Sequence, residues 1–367
     1  MTDATPTMDQ SSDLPPPAST VGVVGWMLQN LFSTWYNTVL TVLGVWIVWV
    51  VVPPFVTWAF LEANWTGTTR EACTGEGACW VFIKEWIGQF IYGRYPIEER
   101  WRINFGAVIL VLSVATLVIP RFPYKLWTSV FLLLGYPIIA FFLFSGDAFG
   151  LEWVETSAWG GLFLTLVIAV IGCVLALPIG VVLALGRRSD MPVVRAICVA
   201  FIELWRGVPL ITVLFMASVM FPLFVPEGLT IDKLLRALIG VMLFQAAYLA
   251  EVIRGGLQAI PRGQYEGAQA LGLNYSKMMV LIILPQALKL VIPGIVNSFI
   301  ALLKDTTLVL IIGLFDFLGM IQSAGTNPDW LGFAVEGYVF AAFVFWMMCF
   351  SISRYSQHLE RKLHTGH

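Results

Sequence analysis

Long apolar stretches without a single Asp, Glu, Lys or Arg alternate along this chain with short polar segments. A helix needs roughly 20 residues to cross about 30 Å of hydrocarbon, and a charge at its centre costs about 2.5–3.5 kcal/mol. Uncharged runs cover residues 39–61, 103–120, 126–146, 156–186 and 207–226, two shorter ones cover 237–250 and 290–303, and a last one covers 337–353. The pattern predicts an all-α polytopic membrane protein with about eight transmembrane helices.

Lys and Arg gather between alternate runs, at Arg121, Lys125, Arg187, Arg188, Arg195, Arg206, Arg254, Arg262, Lys277, Lys289 and Arg354, while residues 147–155 and 316–336 carry none. Cytoplasmic segments are the basic ones, so both termini are expected in the cytoplasm. The long outer segment 62–102 runs against this rule with Arg70, Lys84, Arg94, Arg100 and Arg102. Its many aromatic residues suggest that it rests on the outer interface. No Lys or Arg precedes the first apolar run, so no cleavable signal peptide is expected. Residues 2–20 read as a disordered tail, and residues 21–36 as an interfacial segment.

Composition agrees with this reading. The chain has 367 residues, of which 58% are apolar and 12% charged, against about 45–50% and 25% in soluble domains. Its net charge of −2 offers no basic field for nucleic acid. These values exclude a soluble enzyme and a nucleic-acid binder.

Chemistry-bearing constellations are few. All three histidines (His358, His364, His367) lie beyond the last apolar run; they read as a solvated tail, and no metal site is assigned. A phosphate loop of the G-x-x-x-x-G-K type is missing, so any ATP use falls to a partner. Cys73 and Cys79 lie in the outer segment, where an oxidising compartment permits a disulfide; bridged and free forms both stand as readings.

The segment between the sixth and seventh runs is too polar to cross a membrane, yet it reads as helix. Pro261 opens it, Gln264 to Ala270 favour continuation, and Gly272 with Asn274 supplies a left-handed C-terminal turn. A second helix starts near Ser276. The surface would thus present a short helix carrying Glu266, unless the segment is an ordinary connecting loop.

Glu266, Gly267, Ala268, Gly272, Ile282, Leu284 and Pro285 are spaced as in a known motif. The spacing resembles the EAA motif of ABC importer permeases, with Gly267 in place of the first Ala. Glu203, Arg206, Gly207 and Pro209, the stretch around Glu251, and Asn297 with Lys304 to Thr307 resemble further blocks of the polar amino-acid permeases. The whole chain is most similar to the larger permease of general L-amino-acid ABC importers.

The resemblance implies a five-helix permease core (151–357), with a cytoplasmic coupling loop (255–285) that docks on an ATPase. Three extra helices (37–150) with the long periplasmic loop precede the core, a tail and interfacial segment occupies 1–36, and a cytoplasmic tail occupies 358–367. It further implies a second permease chain, in a heterodimer, two ATPase subunits that bind ATP and Mg²⁺, a periplasmic amino-acid-binding protein, and an L-amino acid as cargo. The chain itself would catalyse no covalent step and hold no cofactor.

Other polar residues of the runs are candidates for the pathway or its gate. Glu203 and Arg206, three apart on a helix, either serve the gate or neutralise each other. Gln245, Tyr248, Glu251 and Asn297 either line a polar path or bond helix to helix. Lys304, Asp305 and Thr306 sit where the seventh helix is expected to break, for substrate contact or for helix-end pairing. An ion-coupled secondary transporter is the alternative, which the 266–285 block opposes. A membrane-embedded enzyme would need clustered His, Cys or acidic residues that the runs lack.

Overall fold

A computed structural model describes residues 22–119, 121–146, 150–226 and 231–363. The expected tail at 2–20 and His364 and His367 lie outside the described residues. The described residues form helices joined by short connections, with isolated bridges and no strand. The chain divides into two units, Met1–Trp80 and Val81–His367.

In the first unit, α1 (Gly22–Asn30) precedes α2 (Trp35–Val56). Thr34 caps α2 by accepting from the Asn37 amide, 3.4 Å away. Pro53 and Pro54 lack the N–H groups that would continue the regular ladder, and a π-turn, Thr57–Leu61, completes a single span, Trp35–Leu61. The chain then folds back: the Asn64 amide donates to Ala78 (2.8 Å), and the Trp80 indole donates to the Ala59 carbonyl (2.7 Å). Cys73 and Cys79 are joined by a disulfide inside this fold, while Cys173, Cys198 and Cys349 are free thiols. Alkylation of the denatured chain is therefore expected to modify three cysteines without reductant and five with it, read by intact mass. Five without reductant would refute the bridge.

From Val81 on, the second unit holds the rest of α3 (Trp80–Tyr92) and then α4 (Arg100–Val118). The long outer segment does not simply rest on the interface, as the sequence suggested. Val81, Phe82, Ile83 and Phe90 are buried, with Phe82 5.7 Å from Trp330 and Phe90 6.3 Å from Phe340. Its apolar face finds protein partners, which remove more surface from water than an interfacial position would. Next, α5 (Lys125–Val130) and α6 (Tyr136–Ser145) join through a π-turn into the span Lys125–Ser145.

The core helices follow: α7 (Gly161–Arg187), α8 (Pro192–Gly207), α9 (Leu210–Phe215) and α10 (Lys233–Ala259). Gly172 and Gly180 let α7 approach α10, for a methyl at either would stand 2.9 Å from Val241 or Leu249. The predicted fifth span, 207–226, corresponds to the segment Leu210–Phe224, which α8 meets at a bend of 100°. The cause is local. Pro209 forces Val208 into extended backbone (φ −113°, ψ 136°), directly after Gly207. Among the described residues, seven helices are long and apolar enough to cross a membrane, or eight if the bent pair is one span.

After α10 come α11 (Arg262–Ala270), α12 (Tyr275–Met278), α13 (Leu284–Leu290) and α14 (Ile292–Asp305), with a π-turn, Met279–Ile283, ahead of Pro285. Thr306–Ile312 then continues the α14 span as a 3₁₀ helix. The expected interruption before Thr306 is thus a change of helix type, and a sharper break falls at Val291 (φ −103°, ψ 7°). Finally, α15 (Phe317–Gly325) and α16 (Ala334–Leu363) close the unit.

Asp316 caps α15 and is fully buried, accepting from the Gly319 (2.9 Å) and Leu318 (3.3 Å) amides. Burial pushes its carboxyl from an ordinary 3.8 up to about 6, against the opposing pull of these amides. Between those values the folded chain holds a proton that the unfolded chain releases. Its contribution to stability is therefore greatest below the unfolded value and is lost as pH rises through about 6, by at most about 3 kcal/mol. Asp316→Asn keeps a capping oxygen and cannot titrate. Between pH 4.5 and 7.5 the wild-type melting temperature is expected to fall relative to that of the variant; parallel curves would disprove the assignment.

Candidate functional site

One side of the second unit gathers two features, the helix α11 and a cluster of charges at the adjoining ends of α7, α8 and α10. In α11, nine residues long, Ala268 is buried and Tyr265 half-buried, anchoring the helix on a core that includes Leu257, Ile260, Met278 and Ile283. The Tyr265 hydroxyl donates to the Leu257 carbonyl at 3.3 Å. Arg262, Gln264, Glu266, Gly267 and Gln269 face outward. Glu266 is exposed and forms no ion pair among the described residues. A methyl at Gly267 would meet nothing within 4 Å, so the departure from alanine carries no packing role within this chain.

The helix ends in a Schellman turn. Leu273 donates to the Ala268 carbonyl (3.2 Å) and Gly272 to that of Gln269 (2.9 Å), with Gly272 at φ +71°. Asn274 then caps α12 by accepting from Lys277 at 2.9 Å. Ile282 and Leu284 pack on the same core as Ala268, and Pro285 stands in the first turn of α13. All seven motif positions therefore belong to one compact element, with the second helix starting at Tyr275.

Glu251 is the centre of the charge cluster. Its carboxylate lies 2.8 Å from Arg254, 3.0 Å from Arg187 and 3.7 Å from Arg206. Glu203 pairs with Arg187 at 2.9 Å and not with Arg206. The expected neutralisation within α8 is replaced by bonds to other helices, because α8 packs across α7 and α10 and meets their charges first. The Arg206 guanidinium sits 5.7 Å from the Tyr248 ring centre, so Glu203, Arg206, Tyr248 and Glu251 form one group. Gln245 is buried on the same helix, its Nε2 without a hydrogen-bond partner.

The remaining candidates lie apart. Asn297 and Lys304 are exposed, and no ion pair joins Lys304 to Asp305 among the described residues. Adjacent helical positions point about 100° apart and do not face each other. The Thr306 hydroxyl is spent on the Leu303 carbonyl at 2.8 Å. Arg187 and Arg254 were missed as site residues; for Arg254 the signal was present, since it stands three residues after Glu251.

The family model described as "Binding-protein-dependent transport system inner membrane component" matches residues 176–365, the stretch that holds both features. The chain belongs to this family. A relative in Escherichia coli (strain K12), the inner membrane amino-acid ABC transporter permease protein YhdY, is 57% identical over 93% of each chain. The glutamate/glutamine/aspartate/asparagine transport system permease protein BztC of Rhodobacter capsulatus is 40% identical over 96% of each. A crystal structure of an amino acid ABC transporter with histidines, 29% identical, covers 55% of this permease and 92% of its own chain at a TM-score of 0.48.

Proposed function

We propose that this ABC importer permease carries L-amino acids into the cell and is driven by ATP hydrolysis in separate subunits. The observation that carries the reading is α11: an exposed helix with an unpaired carboxylate, closed by a tight turn and braced on the core. Such an element suits docking into a groove lined with basic groups. ATP and Mg²⁺ are bound by two ATPase subunits on the α11 side, which is the cytoplasmic side, with both termini there. A binding protein on the opposite side delivers the amino acid. The second half of the gate comes from another permease chain, in a heterodimer. Closure of the ATPases draws the two coupling helices together, and the charge cluster at the root of α10 passes the motion into the core. YhdY and BztC are both permeases by their names, and BztC's names its four amino acids, which supports the substrate class.

The test is uptake by vesicles that contain this chain with its genomic neighbours, across a panel of L-amino acids. Uptake is expected to require the binding protein and intact ATPase, and to survive a protonophore. Uptake that ignores loss of the ATPase and stops with a protonophore would establish ion coupling instead.

A further inference from the structure

On the α11 side, beside the charge cluster, opens a cleft of about 520 Å³ lined by Arg187, Arg188, Arg195 and Arg254 against a single carboxylate, Asp190. Arg187 and Arg254 are turned toward Glu251 and Glu203. Among the described residues, the Arg188 guanidinium donates only to the Tyr265 hydroxyl, at 3.4 Å, and Arg195 makes no side-chain hydrogen bond or ion pair. Two forks therefore remain open to an anion in a cleft already positive. The N-terminus of α8, beginning at Pro192, adds its partial positive charge.

The orientation of α8 says at what depth this cleft lies. The helix meets the segment Leu210–Phe224 at 100°. If that segment runs into the membrane, α8 runs along its surface. Val193, Ile197 and Leu204 are exposed (69%, 64% and 65%) and share one arc of the helix, while Arg195, Glu203 and Arg206 share another. An amphipathic helix in this attitude buries its apolar arc at the acyl boundary and keeps its charged arc among the headgroups. The cleft on the charged arc, across the helix from the apolar one, then opens at the level of the lipid phosphates.

We infer that the cleft binds the headgroup of an anionic phospholipid, with Arg188 and Arg195 as its principal ligands to the phosphate. Guanidinium forks suit phosphate oxygens, and basic pockets between spanning helices take such headgroups. The lipid would thereby brace α8 against Tyr265 on α11.

The assembled importer, purified in detergent, is titrated with phosphatidylglycerol, phosphatidylcholine or inorganic phosphate and examined by native mass spectrometry. Phosphatidylglycerol is expected to bind at least tenfold more tightly than phosphatidylcholine. Arg188→Gln with Arg195→Gln is expected to weaken it at least tenfold, Arg195→Lys to restore part of the loss, and Arg354→Gln, on α16, to change nothing. Arg195→Gln alone guards against misfolding, since its exposed side chain bonds to nothing. Equal binding of both lipids, or unchanged binding by the double variant, would overturn the inference. Competition by inorganic phosphate with no lipid preference would assign the cleft to a free anion. Loss of the ATPase subunits from the double variant, with lipid retained, would make it a protein interface.

Discussion

Gly272→Val is expected to cut amino-acid uptake at least tenfold while leaving the chain folded and in the membrane. The residue holds φ +71° in the turn that closes α11, a conformation costing an L-residue about 1–2 kcal/mol and a β-branched one more. A Cβ there would meet nothing within 4 Å, so valine has no clash to relieve by unfolding the core. The strain is instead released where the turn is weakest, by opening the Leu273–Ala268 and Gly272–Gln269 hydrogen bonds that set the exit angle of α11. Glu266 is then displaced from the position that the proposed docking requires.

A graded series separates backbone from bulk. Asparagine tolerates the left-handed region, so Gly272→Asn should retain most uptake and Gly272→Ala should fall between. Uptake is read against the amount of protein in the membrane and against ATPase activity, which should persist without transport. Normal transport by the valine variant would remove the docking role of this turn. Equal loss in all three would trace the effect to bulk at the partner's surface.

What could be read from the sequence here was local. Pro261 and Gly272 act on their own backbone, so the limits of α11 and its left-handed turn were legible from residue types alone, whereas Asn274, read into that turn, instead caps the next helix. The spans were legible too, since hydrocarbon penalises charge wherever it falls. The charge cluster was not. Arg187 reaches Glu251 only because the Gly172 and Gly180 contacts let α7 lie close on α10, a property of two distant stretches together. The pair that spacing did suggest, Glu203 with Arg206, lost to those stronger cross-helix partners. The 100° bend was signalled by Gly207 and Pro209 and by the start of the uncharged run at 207, but its angle was not, since hydropathy carries no direction.

Glu251→Gln is expected to have the largest effect on stability, about 2–3 kcal/mol, because it leaves three arginines facing a neutral amide. The carboxylate is only 16% exposed, so water replaces little of what is lost. Arg206→Gln should cost far less, within about 1 kcal/mol, since its 3.7 Å contact is long and its side chain is 36% exposed. Glu203→Gln should also be mild, because Arg187 keeps Glu251. Adding Arg254→Gln to Glu251→Gln should recover part of the loss, since Arg254 pairs with Glu251 alone among the described residues while Arg187 keeps Glu203, and melting temperatures in detergent across this cycle measure the coupling directly. A change below about 0.5 kcal/mol in Glu251→Gln would mean that the cluster is solvated. The same carboxylate ties α7 and α8 to the last turns of α10, from which α11 is suspended. Uptake is therefore expected to fall more than the lost stability explains. A variant that is merely unstable would regain transport on cooling, and this one should not.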